Sequence, residues 1–142
     1  MKMLDRSKEI DFQEIHMPNF LVPKTIHLAN SIEVYVLEGG GQELCRLDMV
    51  FEAGSKFQDK PLQATMCNAM LFEGTANKKG EEIYESLDFY GSYTQLDINS
   101  DRAVVSLYTL NKYFDKVLPI FIDAIKNAAF SEDEFKVILA QK

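Results

Sequence analysis

Between Phe114 and Ile125, six large apolar side chains recur at i, i+3, i+4, i+7, i+8 and i+11: Phe114, Val117, Leu118, Phe121, Ile122 and Ile125. That spacing draws one broad apolar stripe along a helix, and such a stripe must be buried against another layer. Each full burial is worth roughly 1.5–3 kcal/mol, so the rest of the chain has to supply a surface for it. Pro119 lies inside the run and predicts a kink or a split in the helix.

The covering layer is written upstream. Ile32, Val34 and Val36 alternate with Glu33 and Tyr35, and the run ends at Gly39, Gly40 and Gly41. Cys45, Leu47, Met49 and Phe51 then alternate with Arg46, Asp48, Val50 and Glu52. Two period-2 runs joined by a glycine turn predict a hairpin with one buried face. No helix opens after the glycines and no G-K-S/T follows, so they read as a turn and not a phosphate loop.

From Pro61 the period becomes helical. Pro61 suits a first-turn position and Gly74 a C-terminal stop. Leu62, Met66, Ala69 and Met70 share a stripe that Cys67, Leu71 and Phe72 extend, which predicts a helix buried on more than one side. A second helix is expected over about 81–90, with Ile83 and Leu87 inward and Gly91 as its stop. Strands follow near 92–98 and 102–109, then the helix at 114–125. A last helix opens on the capping box of Ser131 and Glu134 and runs out of chain at Lys142. The order ββ(β)-α-α-β-β-α-α implies antiparallel pairing and an α+β class, a sheet with helices packed on one face. Residues 1–24, with Pro18 and Pro23, read as a lead-in arm. Residues 25–142 read as the N-terminal part of a domain truncated relative to a longer protein.

Fifteen basic against 22 acidic residues give a net charge of −7, which argues against a nucleic-acid binder. No apolar run approaches a membrane span, and the charged N-terminus is not followed by a signal-peptide core. A cytoplasmic protein is therefore expected, unless a leader has been removed. Cys45 and Cys67 are too few for a disulfide framework and read as buried free thiols.

Four segments carry a resemblance: Phe51-Glu52-Ala53-Gly54-Ser55, Met70-Leu71-Phe72-Glu73-Gly74-Thr75, Leu87-Asp88-Phe89-Tyr90-Gly91-Ser92 and Phe130-Ser131-Glu132-Asp133-Glu134-Phe135. In this order and approximate spacing they resemble the N-terminal domain of the insulinase/pitrilysin-type zinc peptidases, which include mitochondrial processing peptidase. The likeness covers residues 25–142. Asn30-Ser31 departs from the Asn-Gly turn usual in that family.

Active members of the family carry an inverted zinc motif, H-x-x-E-H, just before the M-L-F-x-G-T segment. Two histidines at i and i+4 share a helical face and can ligate one Zn²⁺, while the glutamate between them takes a proton from the bound water. A third ligand, a glutamate, comes from a later helix. The resemblance places Thr65 and Ala69 at the histidine positions, Asn68 at the general-base glutamate and Gln141 at the third ligand. A methyl group cannot ligate zinc, a threonine hydroxyl is a poor substitute, and an amide is no base at neutral pH. His16 and His27 read as surface or partly buried residues and not as ligands. Asp97 to Asp101 begins like a calcium loop, but Arg102 stands where glycine is needed and Tyr108 where the bidentate glutamate belongs, so it reads as a polar turn.

The resemblance thus implies a non-catalytic homologue with no cofactor, where active relatives hold zinc. Its implied partners are an active zinc-bearing homologue or a further copy of itself, and peptide, with neither nucleic acid nor membrane. A structural scaffold, or a peptidase whose zinc site lies outside this chain, are the alternatives.

Overall fold

Asn30 turns the chain back on itself. Its Oδ1 accepts the Ile32 N–H at 3.3 Å, and the Leu28 N–H reaches the Ile32 carbonyl at 2.9 Å. Ser31, at the position where the family's usual turn has glycine, takes a φ of 65°. The turn joins β1 (Lys24–His27) to β2 (Glu33–Val36) as an antiparallel pair with Ile26 opposite Val34. The computed structural model describes residues 14–141, and of Gln141 the backbone only. Within the expected lead-in arm, residues 1–13 lie outside the described residues, and 14–23 carry no regular element. The chain divides into two units, Met1–Gly41 and Gln42–Lys142.

In the second unit, β3 (Leu44–Phe51), β4 (Tyr93–Ile98) and β5 (Ala103–Leu110) form an antiparallel sheet in the order β3-β5-β4. The hairpin expected across Gly39–Gly41 does not form. β2 takes β1 as its partner, and β3 pairs along its eight residues with β5, from Leu44 opposite Leu110 to Phe51 opposite Ala103. Alternation reveals which residues share a face, but it does not reveal which strand lies alongside.

The face expected to be buried is only half-buried on β3, through Cys45, Leu47 and Met49, while Phe51 at its end is exposed; the enclosed residues of this sheet are on β5. On β5, Val105 and Leu107 are fully enclosed, with Leu47 and Met49 of β3 and Leu96 of β4 packed beside them. Two helices cover this face: α2 (Gly80–Phe89), through Ile83 and Leu87, and α3 (Phe114–Lys126), through Val117, Phe121 and Ala124. Pro119 does not split α3. It sits on the exposed side of one continuous helix, where its missing N–H leaves a carbonyl within reach of water. Gly91 ends α2 as expected, in the left-handed conformation at φ 62°.

The helix expected from Pro61 to Gly74 is shorter. α1 runs from Gln63 to Ala69, and Leu62 before it is exposed and left-handed at φ 66°. Met66 and Met70 face inward as the stripe requires, but the helix ends at Ala69 and Phe72 is buried from the turn that follows it, where the Glu73 N–H donates to the Met70 carbonyl at 3.3 Å. Gly74 instead bridges to Lys79. α4 (Glu132–Gln141) closes the chain, with the Ser131 carbonyl accepting the Phe135 N–H at 3.0 Å. Among the described residues, no helix is long and apolar enough to cross a membrane.

Candidate functional site

Helix α1 carries three of the four motif positions, and it packs against β4 and against α4, which carries the fourth. The two helices that a zinc site would require are therefore neighbours. Thr65 and Ala69, one helical turn apart, are both half-buried. Gln141 is the last residue of α4, and its side chain lies outside the described residues.

Asn68 is the most informative of the four. It is 6% exposed, and its Nδ2 donates to the backbone carbonyl of Asp97 on β4 at 3.1 Å. A carbonyl only accepts, so this partner fixes which end of the amide faces the strand. The side chain that the resemblance would put at the general-base position is thus engaged as a donor to backbone. These residues do not fit a zinc ion: one offers a methyl, one a neutral hydroxyl, and one an amide committed elsewhere. Among the described residues, no three His, Cys, Asp or Glu side chains converge on a point.

His27 is exposed on β1, with Nδ1 3.9 Å from the Glu33 carboxylate, and His16 is exposed before the first strand. The polar turn at 97–101 is a turn. Asn99 Oδ1 accepts the N–H groups of Asp101 and Arg102 at 2.8 Å, and its own N–H donates to Arg102. The segment Gly54–Lys56 lies across this turn through three backbone bonds to Asp101, Asn99 and Ser100. A Cβ on Gly54 would stand 2.3 Å from the Ser100 oxygen, so only glycine fits in Phe51-Glu52-Ala53-Gly54-Ser55.

The expectation of two buried thiols is corrected. Cys45 is half-buried, which pushes its thiol pKa up, while Cys67 is exposed. Cys67 is on α1, one residue after the buried Met66. There it lines an apolar cavity of about 360 Å³ with Phe51, Phe57, Leu71 and Ile125.

Strand β4 has a second feature that the residue pattern does not announce. It pairs with β5 on one side only among the described residues. The Asn99 N–H to Arg102 carbonyl bond fixes the alternation, so Tyr93, Gln95 and Asp97 turn their backbone groups toward β5. Thr94, Leu96 and Ile98 therefore present theirs along the free edge.

On the sheet face away from the helices, Arg46, Tyr108 and Tyr93 form one cross-strand row. The two tyrosine rings stack 4.5 Å apart, and the Arg46 guanidinium lies 5.1 Å from the Tyr108 centroid. In the next row, Ser106 Oγ donates to Asp48 Oδ1 at 2.6 Å. Burial opposes ionisation of Asp48, but the hydrogen bonds from Ser106 and Arg46 outweigh it and hold the carboxyl below its ordinary pKa.

Comparison with known proteins agrees with this geometry. The model of the insulinase family (peptidase family M16) matches residues 34–141. An uncharacterized zinc protease of Rickettsia felis is 23% identical over 129 residues, covering 87% of this chain and 31% of that protein. The alpha-1 subunit of the mitochondrial-processing peptidase of Dictyostelium discoideum is 27% identical over 111 residues, covering 77% of this chain and 17% of the subunit. Among solved structures, the inactive peptidase M16 domain of Pseudomonas fluorescens superposes with a TM-score of 0.79 at 27% identity, over 85% of this chain and 30% of that one. A protease of Helicobacter pylori shares the fold, with a TM-score of 0.74 at 19% identity over 86% of this chain and 31% of its own. The chain thus spans under a third of the length of these relatives. With the family match extending from β2 to the end of α4, the chain belongs to the insulinase family, peptidase family M16.

Proposed function

We propose that this chain is a non-catalytic member of the family that binds extended peptide along the free edge of β4 and works beside an active, zinc-bearing homologue. The observation that carries the reading is Asn68: the side chain at the base position donates to a strand carbonyl and cannot take a proton from water. The loss of imidazole at Thr65 and Ala69 points the same way. The inactive M16 domain of Pseudomonas fluorescens offers a precedent within the fold.

The edge of β4 supports the peptide half of the proposal. Three residues of one face, Thr94, Leu96 and Ile98, offer backbone donors and acceptors in strand geometry, and an added strand gains its affinity from such main-chain bonds. Two measurements test the proposal. A labelled, unstructured decapeptide selected from a random library on this chain is expected to bind and to emerge uncut. Methylating its alternate backbone nitrogens is expected to abolish binding. Mixing the protein with a family member that carries H-x-x-E-H is expected to raise that member's peptidase rate. Cleavage by this chain alone, or no peptide and no effect on the homologue, would overturn the reading, the latter in favour of a scaffold.

A further inference from the structure

We infer that Asn68 is a positioning residue for the β4 edge, so that the general-base place in this chain has been given over to holding the strand on which peptide docks. The inference rests on the docking reading above and adds to it the group that sets the edge. Asp97 turns its carbonyl toward β5 but has two lone pairs, and the second is the one Asn68 Nδ2 reaches at 3.1 Å. Asp97 stands between Leu96 and Ile98, two of the three residues whose backbones face the free edge. Fixing it therefore fixes both neighbours. An edge strand has a ladder on one side only, so it opens more readily than a central one. A bond from a buried amide 29 residues away in sequence, on a helix packed against that strand, counteracts this.

The chemistry also separates asparagine from the glutamate of active relatives. An ionised carboxylate has no hydrogen to donate, and here it would face an acceptor oxygen. Restoring the base alone would therefore release the strand. The substitution at Asn68 is on this account an exchange of tasks and not a simple loss.

Asn68→Asp keeps the shape and removes the donor. Amide hydrogen exchange in the 142-residue chain is expected to speed up about tenfold at Asp97 and Val104, the size of one lost buried hydrogen bond. Affinity for the decapeptide selected on the parent is expected to fall by a similar factor. Val117→Ala on α3, which lowers stability without removing the Asn68 bond to Asp97, is the control and is expected to leave local exchange and affinity near those of the parent at matched distance below the melting point. If Asn68→Asp does not fold, Asn68→Ser removes the donor's reach without adding charge. Exchange at Asp97 and Val104 no faster than in the control overturns the inference. So does faster exchange with unchanged peptide affinity. Faster exchange in a protein on which no peptide can be selected sinks the docking reading and supports the tie itself.

Discussion

The ring of Phe72 packs against that of Phe121 with 5.8 Å between centroids and 37° between planes, joining the segment after α1 to the middle of α3. Both side chains are fully enclosed. Phe121→Ala is expected to cost about 3–5 kcal/mol, which rivals the whole stability of a small domain. Phe89→Ala, at a ring that is 82% exposed, is expected to change it by less than about 0.5 kcal/mol. Urea titration of the two variants measures the difference. Equal midpoints would mean that α3 is not packed on the sheet.

A second prediction concerns a buried polar pair. Ser92 Oγ donates to Thr109 Oγ1 at 2.7 Å, and both residues are almost fully enclosed between the end of α2 and β5. Ser92→Ala leaves the threonine hydroxyl without this partner and is expected to cost about 1–3 kcal/mol. Adding Thr109→Val is expected to restore part of that loss, because no polar group is then left unpaired. A double-mutant cycle reads the coupling, and strict additivity would contradict it.

The third is a pH dependence. Burial, and then the charge of Glu134, raise the pKa of Glu73 above the ordinary carboxylate value. A raised folded pKa means that the contribution of Glu73 to stability is present below its unfolded pKa and is lost as pH rises through the folded value. Glu73→Gln is therefore expected to melt higher than the parent at neutral pH. The gain should fade on acidification below about pH 4, where the parent carboxyl is protonated in both states. Part of the carboxyl reaches water, so the gain should stay under about 1 kcal/mol. A variant no more stable at neutral pH than at acid pH, relative to the parent, would contradict the assignment.

Much of the fold was legible in the sequence because burial imposes a period. The stripe from Phe114 to Ile125 became α3, and Ile83 and Leu87 became the inner face of α2. Pairing was less legible, because a strand's alternation is the same whichever strand lies beside it. That is why β3 was expected against β2 and stands against β5. Phe72 misled for a related reason: the apolar run Met70-Leu71-Phe72 is compatible with a helix, and the backbone leaves the helix before it. At the site, the residue types at 65, 68 and 69 led to the expectation that a zinc ligand set is absent there. They could not announce that Asn68 had found a new partner, since Asp97 lies 29 residues away and only the packing of α1 on β4 brings them together.

Reconstruction follows from the same placement. Thr65→His, Asn68→Glu, Ala69→His and Gln141→Glu together are expected to create zinc affinity in this chain, since α1 and α4 are already neighbours. Affinity should be modest, because the four substitutions bring in no outer hydrogen-bond partners to orient the new imidazoles. Stability should fall with the loss of the Asn68 bond to Asp97. A folded fourfold variant that gains no zinc, measured by calorimetric titration, would count against the alignment of these positions.

Zinc content tests the central claim most directly. The unmodified chain, equilibrated with zinc and passed through a desalting column, is expected to carry well under about 0.1 zinc per chain by elemental analysis, because Thr65, Asn68 and Ala69 supply no ligand set. Retention of about one zinc per chain would show a metal centre made of other residues and would contradict the account of this protein as a non-catalytic member of its family.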